Sequence, residues 1–231
     1  MFADLHIHSA LSACADDDMT PNNILNMAVI KGLDVIAICD HNSCKQQPAI
    51  AKAAIGKPIK VIFGVEVTSS EEVHVLCYFD KLDNCMLFDR WLESVLLPID
   101  NNEKFFGKQL IYDELDVVID KVTVCLSLAT MVSMKEIIDK AYRLGGQCVF
   151  AHAMGKSHGV IRQLGFIPED VSVSGIEVID PSHQVELVKS HPRFENTLWL
   201  QNSDAHQLID ISERDFYITS KQWKEFWGEH T

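Results

Sequence analysis

Asp4-Leu5-His6-Ile7-His8-Ser9 places two imidazoles one residue apart in a run that alternates polar and apolar. Side chains of an extended segment alternate faces with a period of two, so His6 and His8 are expected to converge on one spot at a strand's end. Two neutral nitrogen donors aimed at one point are half of a transition-metal site, and the missing ligands must come from other strand ends. Matching residue types recur downstream: the acidic loop Asp16-Asp17-Asp18, then Asp40-His41-Asn42, Gly64-Val65-Glu66, His74, Ala151-His152 and Asn202-Ser203-Asp204-Ala205-His206. Such side chains are seldom buried without partners. Together they exceed what one ion can bind, which predicts a multinuclear centre with Glu66 as a bridging ligand.

Seven β-rich runs would carry these donors: residues 2–8, 33–39, 60–67, 73–79, 147–151, 175–179 and 198–201. All but the run at 175–179 deliver His, Asp or Glu at or near an end, and parallel α/β folds place their sites at carboxyl ends of strands. Helical signals lie between most of the runs. Thr20-Pro21 reads as N-cap and first helical residue with Gly32 as the stop, residues 46–55 are rich in Ala and Ile, and Ser133-x-x-Glu136 is a capping box. Ser182 and Ser220 are expected to start two further helices. This alternation argues for an α/β fold on a parallel sheet. Residues 80–146 stand out as an insertion between strands 4 and 5, with a helix at 85–97 and a hairpin at 110–128 that turns at Asp120-Lys121. Leaving from a strand's end, that insertion is a candidate lid over the donors, and the whole of 1–231 reads as one domain.

The order Asp-x-His-x-His, an early Asp, Asp-His, Gly-x-Glu, His, His and a final Ser-Asp-Ala-His resembles the PHP (polymerase and histidinol phosphatase) family over residues 4 to about 210. The stretch Leu164-Gly165-Phe166-Ile167-Pro168 is similar to a subgroup of small stand-alone bacterial members. The resemblance implies a distorted (β/α)7 barrel with a centre of two or three divalent ions (Zn, Mn or Fe). It puts His6, His8, Glu66 and Asp204 on one metal, Glu66, His74 and His152 on a second, and Asp16, His41 and His206 on the third. Asp16 is chosen over Asp17 and Asp18 by counting back from Pro21, because the loop after His8 is longer than the family's usual His-x-His-Thr-x-x-Ser-Asp-Gly. It further implies a phosphoesterase in which hydroxide held between the Glu66-linked metals attacks a small phosphomonoester or nucleotide phosphate. In that scheme Glu66, Asp204 and His206 are the catalytic set, with His206 or a water protonating the leaving group.

Around this set, Asp4 and Asp40 are candidates for orienting the ligand rings. Lys156, His158 and Arg162 form the best cluster for gripping a phosphate. His183, His191 and His230 are expected to be exposed and idle, and Cys14, Cys39 and Cys148 to be small core residues. No C-x5-R motif supplies a protein nucleophile. With 47% hydrophobic residues the chain can bury a full core, and it has no apolar run long enough to cross a membrane. Seven scattered cysteines with no C-x-x-C pair suit a reducing cytoplasm. A net charge of −13 opposes a long nucleic acid and leaves a small phosphorylated substrate open. Two rivals remain: a regulatory module whose metals are structural, and an amidohydrolase acting on C–N bonds. The second expects a bridging lysine on strand four, where this chain has His74 instead.

Overall fold

The computed structural model describes residues 1–228; His230 lies outside them. The first half runs β1 (Ala3–Ile7), α1 (Pro21–Ile30), β2 (Val35–Ile38), α2 (Gln47–Ala53), β3 (Lys60–Thr68), β4 (His74–Phe79) and α3 (Leu82–Glu93). A small hairpin of β5 (Leu110–Tyr112) and β6 (Val118–Lys121) follows, then α4 (Met134–Arg143), β7 (Gln147–Phe150) and α5 (Val160–Leu164). The chain ends with β8 (Gly175–Glu177), α6 (Pro181–Ser190), β9 (Leu198–Leu200) and α7 (Ser220–Phe226). Seven strands form one curled, barrel-like sheet in the order β1-β2-β3-β4-β7-β8-β9. Its edges meet through a seam rather than a ladder: Ile7 bridges to Ala205, and the Leu5 N–H donates to Asn202 Oδ1 at 2.8 Å.

One strand departs from the expected parallel order. β4 is antiparallel to both β3 and β7, because residues 69–73 are too few for a parallel crossover, which needs about a dozen. The reversal matters for the site. It brings His74, the first residue of β4, opposite Thr68 at the last turn of β3, so a donor from an amino end joins donors from carboxyl ends.

Local chemistry explains the helices. Thr20 accepts from the Asn23 N–H ahead of Pro21, and Ser133 and Glu136 form a reciprocal capping box. Helix α6 is capped by Asp180, which accepts from the Ser182 N–H, so it begins earlier than the Ser182 start the sequence suggests. Apolar side chains of α3 and α4 (Phe88, Leu92, Ile137 and Ile138) cover Val75, Cys77 and Phe150 of the sheet. On the other side, Leu5, Val35, Leu76, Tyr78 and Leu200 fill an interior closed off by Phe226 and Trp223 of α7.

Within 80–146, α3 and α4 are thus ordinary covering helices, and the hairpin lies in the intervening residues 94–133. The turn falls at Asp113–Val117, where Asp113 Oδ1 accepts from the Leu115 and Val117 N–H groups at 2.9 Å; Asp120 and Lys121 belong to β6. Buried hydrogen bonds tie this stretch to the loops after β1 and β2. Gln46 pairs with both backbone groups of Tyr112, Asn42 Nδ2 donates to the Leu126 and Leu128 carbonyls, and the Leu110 N–H donates to Ala10 O. A lid would have to break all of these at once.

Gly107 shows how close the contact is. At φ +106 it leaves room for Ala13 O only 1.9 Å from where a Cβ would stand. Gly107→Ala is therefore expected to cost at least ~2 kcal/mol of stability by forcing the two loops apart. Urea denaturation of the variant beside the parent checks this.

Candidate metal centre

Glu66, near the end of β3, is 1% exposed and is surrounded by imidazoles. Its Oε1 lies 2.7 Å from His74 Nδ1, 3.2 Å from His152 Nε2 and 3.4 Å from His6 Nε2. Its Oε2 lies 3.1 Å from His41 Nδ1 and 3.4 Å from His8 Nε2. Asp204 adds a second carboxylate, with Oδ1 3.1 Å from His8 Nε2 and 3.4 Å from His6 Nε2. Donors from both ends of the chain therefore meet at one place. Asp204 (φ 53) and His152 (φ 29) hold left-handed backbone that non-glycine residues rarely adopt, a strain that collects at functional sites.

Three groups of donors each lie within 4.8 Å: His6, His8, Glu66 and Asp204; His41, Glu66 and His74; and His8, His41 and His206. The first is the set expected for one metal. In the second, His41 joins Glu66 and His74, with His152 reaching in through Glu66 Oε1. In the third, His8 stands where Asp16 was expected. Asp16 is exposed, its carboxylate belongs to none of the three groups, and only its backbone N–H reaches the site, donating to His206 O at 3.0 Å.

A second layer sets the rings. His6 Nδ1 donates to Glu177 at 3.1 Å, His8 Nδ1 to Ser12 Oγ at 3.0 Å, and His206 Nδ1 to the Asp204 carbonyl at 2.8 Å. With Nδ1 so engaged, each ring turns Nε2 toward the site, where its lone pair is free once that nitrogen is deprotonated. Ser12 Oγ passes its own proton to Asp40 Oδ1 at 2.7 Å, so Asp40 orients His8 through a hydroxyl. Asp4 orients no ring: it accepts from the Ser203 and Ser212 N–H groups and anchors the loop that carries Asp204. Glu177, at the end of β8, escaped the sequence reading. It is 2% exposed and also accepts from the His152 N–H and from Asn202 Nδ2, both at 2.7 Å. The available signal was a lone carboxylate inside the apolar run Gly-Ile-Glu-Val-Ile.

The donor set fits cations. Nitrogen and oxygen donors about 2.1 Å from one ion stand roughly 3.0–3.4 Å apart, the spacing found between His6 and His8 Nε2 atoms (3.2 Å) and their carboxylate partners. His152 Nδ1 is buried and has no partner. Without ions, protons take up the charge. Burial disfavours the imidazolium of His8, yet the hydrogen bonds it donates to Asp204 and Glu66 outweigh it and raise the pKa to about 9. His41 is likewise raised to about 9 against burial and the repulsion of His8. Burial lowers His74 and His206 to about 4, and the histidines around Glu66 hold its carboxyl well below the ordinary range despite burial.

Ligand nitrogens must be deprotonated to bind. Loading metal at pH 7 should therefore release protons from His8 and His41, and affinity should climb as pH rises toward 9. Titration calorimetry in buffers of differing ionisation enthalpy measures the release, and zero release would contradict it.

The weaker candidates separate. Lys156 donates to Asp204 Oδ2 at 2.6 Å from the mouth of the site. His158 stacks on His74 with ring centroids 4.5 Å apart and bonds the Glu72 carbonyl. Arg162 is exposed on α5 with no ion pair among the described residues. Cys39 and Cys148 are buried as expected, whereas Cys14 is exposed because its loop carries it to the surface. His191 is not idle: its Nε2 accepts from the Ile167 N–H at 3.3 Å. His183 is half-buried, with an unpartnered Nδ1.

A 5'-3' exoribonuclease of Haemophilus influenzae is 33% identical over 84 residues, which cover 34% of this chain and 29% of that one. The matched stretches span less than half the length of the curated relatives. Two solved structures share the fold, each with a TM-score of 0.64. One is the lesion-specific endonuclease of Pyrococcus furiosus, 20% identical, covering 89% of this chain and 48% of that one. The other is a protein described as a metal-dependent phosphoesterase from Bifidobacterium adolescentis, 18% identical, covering 99% of this chain and 96% of that one. The PHP domain model matches residues 4–226, the span over which every donor described above is spread, and the chain belongs to the PHP domain family.

Proposed function

We propose that the protein is a metal-dependent phosphoesterase acting on a small phosphomonoester or a nucleotide phosphate. The observation that carries this reading is the buried Glu66 carboxylate among five imidazoles, with Asp204 alongside. Divalent ions held by His6, His8, Glu66 and Asp204, by Glu66, His41, His74 and His152, and by His8, His41 and His206 would supply Lewis acidity toward water and phosphate oxygens. Glu66 sets the spacing of the donors, and Glu177, Ser12 and Asp40 keep their rings from rotating. His206 spends its Nδ1 proton on the Asp204 carbonyl, which leaves its other nitrogen as an acceptor. Protonation of the leaving group, which the sequence assigns to His206 or a water, falls in this scheme to Lys156. That ammonium stands at the mouth and can move from Asp204 to a substrate oxygen.

The match to an exoribonuclease supports a nucleotide or the end of a short strand as an acceptable substrate. The charge of −13 opposes a long polyanion through the whole-surface field.

A phosphate-release screen of metal-loaded protein over monoesters, diesters and short oligonucleotides tests the proposal, with His152→Ala as the inactive control. Release from monoesters supports it. Release only from amides would favour an amidohydrolase, and silence with metals bound would favour a binding module. Lys156→Met is expected to raise KM roughly tenfold for the preferred phosphate and to lower kcat as well, because proton delivery to the leaving group is lost with it. An unchanged KM would remove Lys156 from the substrate site.

A further inference from the structure

His74 enters the centre from an unusual direction. It opens β4, the strand of the large sheet that runs against both of its neighbours, and follows directly on the turn at 69–73. The ladder with β3 ends at the Thr68–His74 pair, and the ladder with β7 starts only at Val75. A ligand at the outer end of a strand has little sheet to hold its ring.

The missing support comes from residues 151–159. The His74 N–H donates to His158 O at 2.9 Å, and His74 O accepts from the Ala151 N–H at 3.2 Å. The His158 ring lies flat on the His74 ring, with centroids 4.5 Å apart and planes 7° from parallel. Its Nδ1 donates to the Glu72 carbonyl at 3.0 Å, two residues before His74. One residue thus grips the reversing turn at Glu72 and the ligand that leaves it. Glu72 (φ 61) and His158 (φ 63) both hold left-handed backbone, which persists only where the surroundings over-determine it. The loop is also folded hard onto its own start, because a Cβ at Gly159 would stand 2.5 Å from His152 O. His74 and His152, the two imidazoles nearest Glu66 Oε1, are therefore joined through one short segment.

We propose that His158 is a positioning residue for His74, and through it for the metal position made by Glu66, His41, His74 and His152. The inference rests on the metal-centre reading above and deepens it. The sequence groups His158 with Lys156 and Arg162 as a phosphate grip; in the fold its Nδ1 proton is engaged by Glu72 and one face of its ring by His74. A ligand ring already flat against a neighbour loses less rotamer freedom when an ion binds, so the stack favours metal affinity and leaves substrate affinity alone.

The experiment uses the full chain, stripped and then loaded with zinc. His158→Asn suits the left-handed backbone and removes the ring, whereas His158→Phe keeps a ring and removes the donor to Glu72. In competition against a chelator, His158→Asn should bind one zinc equivalent roughly tenfold more weakly than the parent, the others unchanged, and His158→Phe should recover most of that loss. In the stripped protein, NMR should show the His74 ring protons moving downfield in His158→Asn, as the ring current above them disappears, and staying in place in His158→Phe. KM for the preferred phosphate should be unchanged in zinc-saturated His158→Asn. A raised KM with parental zinc affinity would make His158 a phosphate contact and overturn the proposal. So would His158→Phe binding zinc no better than His158→Asn. If the parent binds no zinc, the metal-centre reading fails and this role goes with it; unaltered zinc affinity in His158→Asn, with the parent binding, sinks the positioning role alone. Should His158→Asn not fold, cross-relaxation between the His74 and His158 ring protons in the stripped parent decides, its absence counting against the stack.

Discussion

Glu66→Gln is expected to lose bound metal and phosphate release together, with a larger effect than any other single change in the protein. The substitution keeps the size of the side chain and removes the charge. Both carboxylate oxygens are in use, Oε1 facing His74, His152 and His6 and Oε2 facing His41 and His8. An amide would present two N–H donors to nitrogens that must act as acceptors toward metal. The loss should exceed the roughly 10–100-fold typical of removing an outer partner of a metal ligand. In the metal-free protein the same change withdraws one of the anions that raise His8 and His41 to about 9, so both should titrate at lower pH. Metal content by elemental analysis, activity, and histidine titration by NMR give three separate readings. Retention of full metal content by the variant would refute the bridging role.

Glu177 provides the second large effect, acting through the ligands and not on them. Its Oε1 accepts from His6 Nδ1 and Asn202 Nδ2, and its Oε2 accepts from His6 Nδ1 and the His152 N–H. Glu177→Gln must turn its amide group toward one of these donors, and a buried donor left unpaired costs about 1–3 kcal/mol. Glu177→Ala abandons all of them and frees the His6 ring to rotate. Metal affinity is expected to fall roughly 10–100-fold for Gln and further for Ala. Competition against a chelator of known affinity measures it. If both variants bound metal as tightly as the parent, the ring orientation of His6 would owe nothing to Glu177.

Most of the donor set could be read from the sequence because each donor stands beside a β-rich run, where the polar residue interrupts an apolar pattern. The structure gathers His6, His8, Glu66 and Asp204 in one donor group and His206 with His8 and His41 in another. The direction of β4 was not readable in the same way. Its apolar content is the same whichever way it runs, and only the short turn at 69–73 reveals the reversal. Glu177 was passed over since no histidine accompanies it. Asp16 lies outside the three donor groups: a loop of unusual length has no periodicity to count by, and what orients it are bonds within the loop, through Ser12, and to His206, far away in sequence. The hairpin turn was set at Asp120-Lys121 from residue preference, whereas Asp113 stabilises an earlier one through its own side chain.

The seam between β1 and β9 has a consequence for the order of events at synthesis. Residues 4–8 reach their final neighbours only when residues 202–206 arrive, through Leu5 to Asn202, Ser203 to Asp4, and His8 to Ala205. Contacts so far apart along the chain are slow to close. A nascent polypeptide leaving the ribosome therefore exposes its first two histidines long before the aspartate that accompanies them exists, and the ion-binding cradle is assembled after almost everything else has folded.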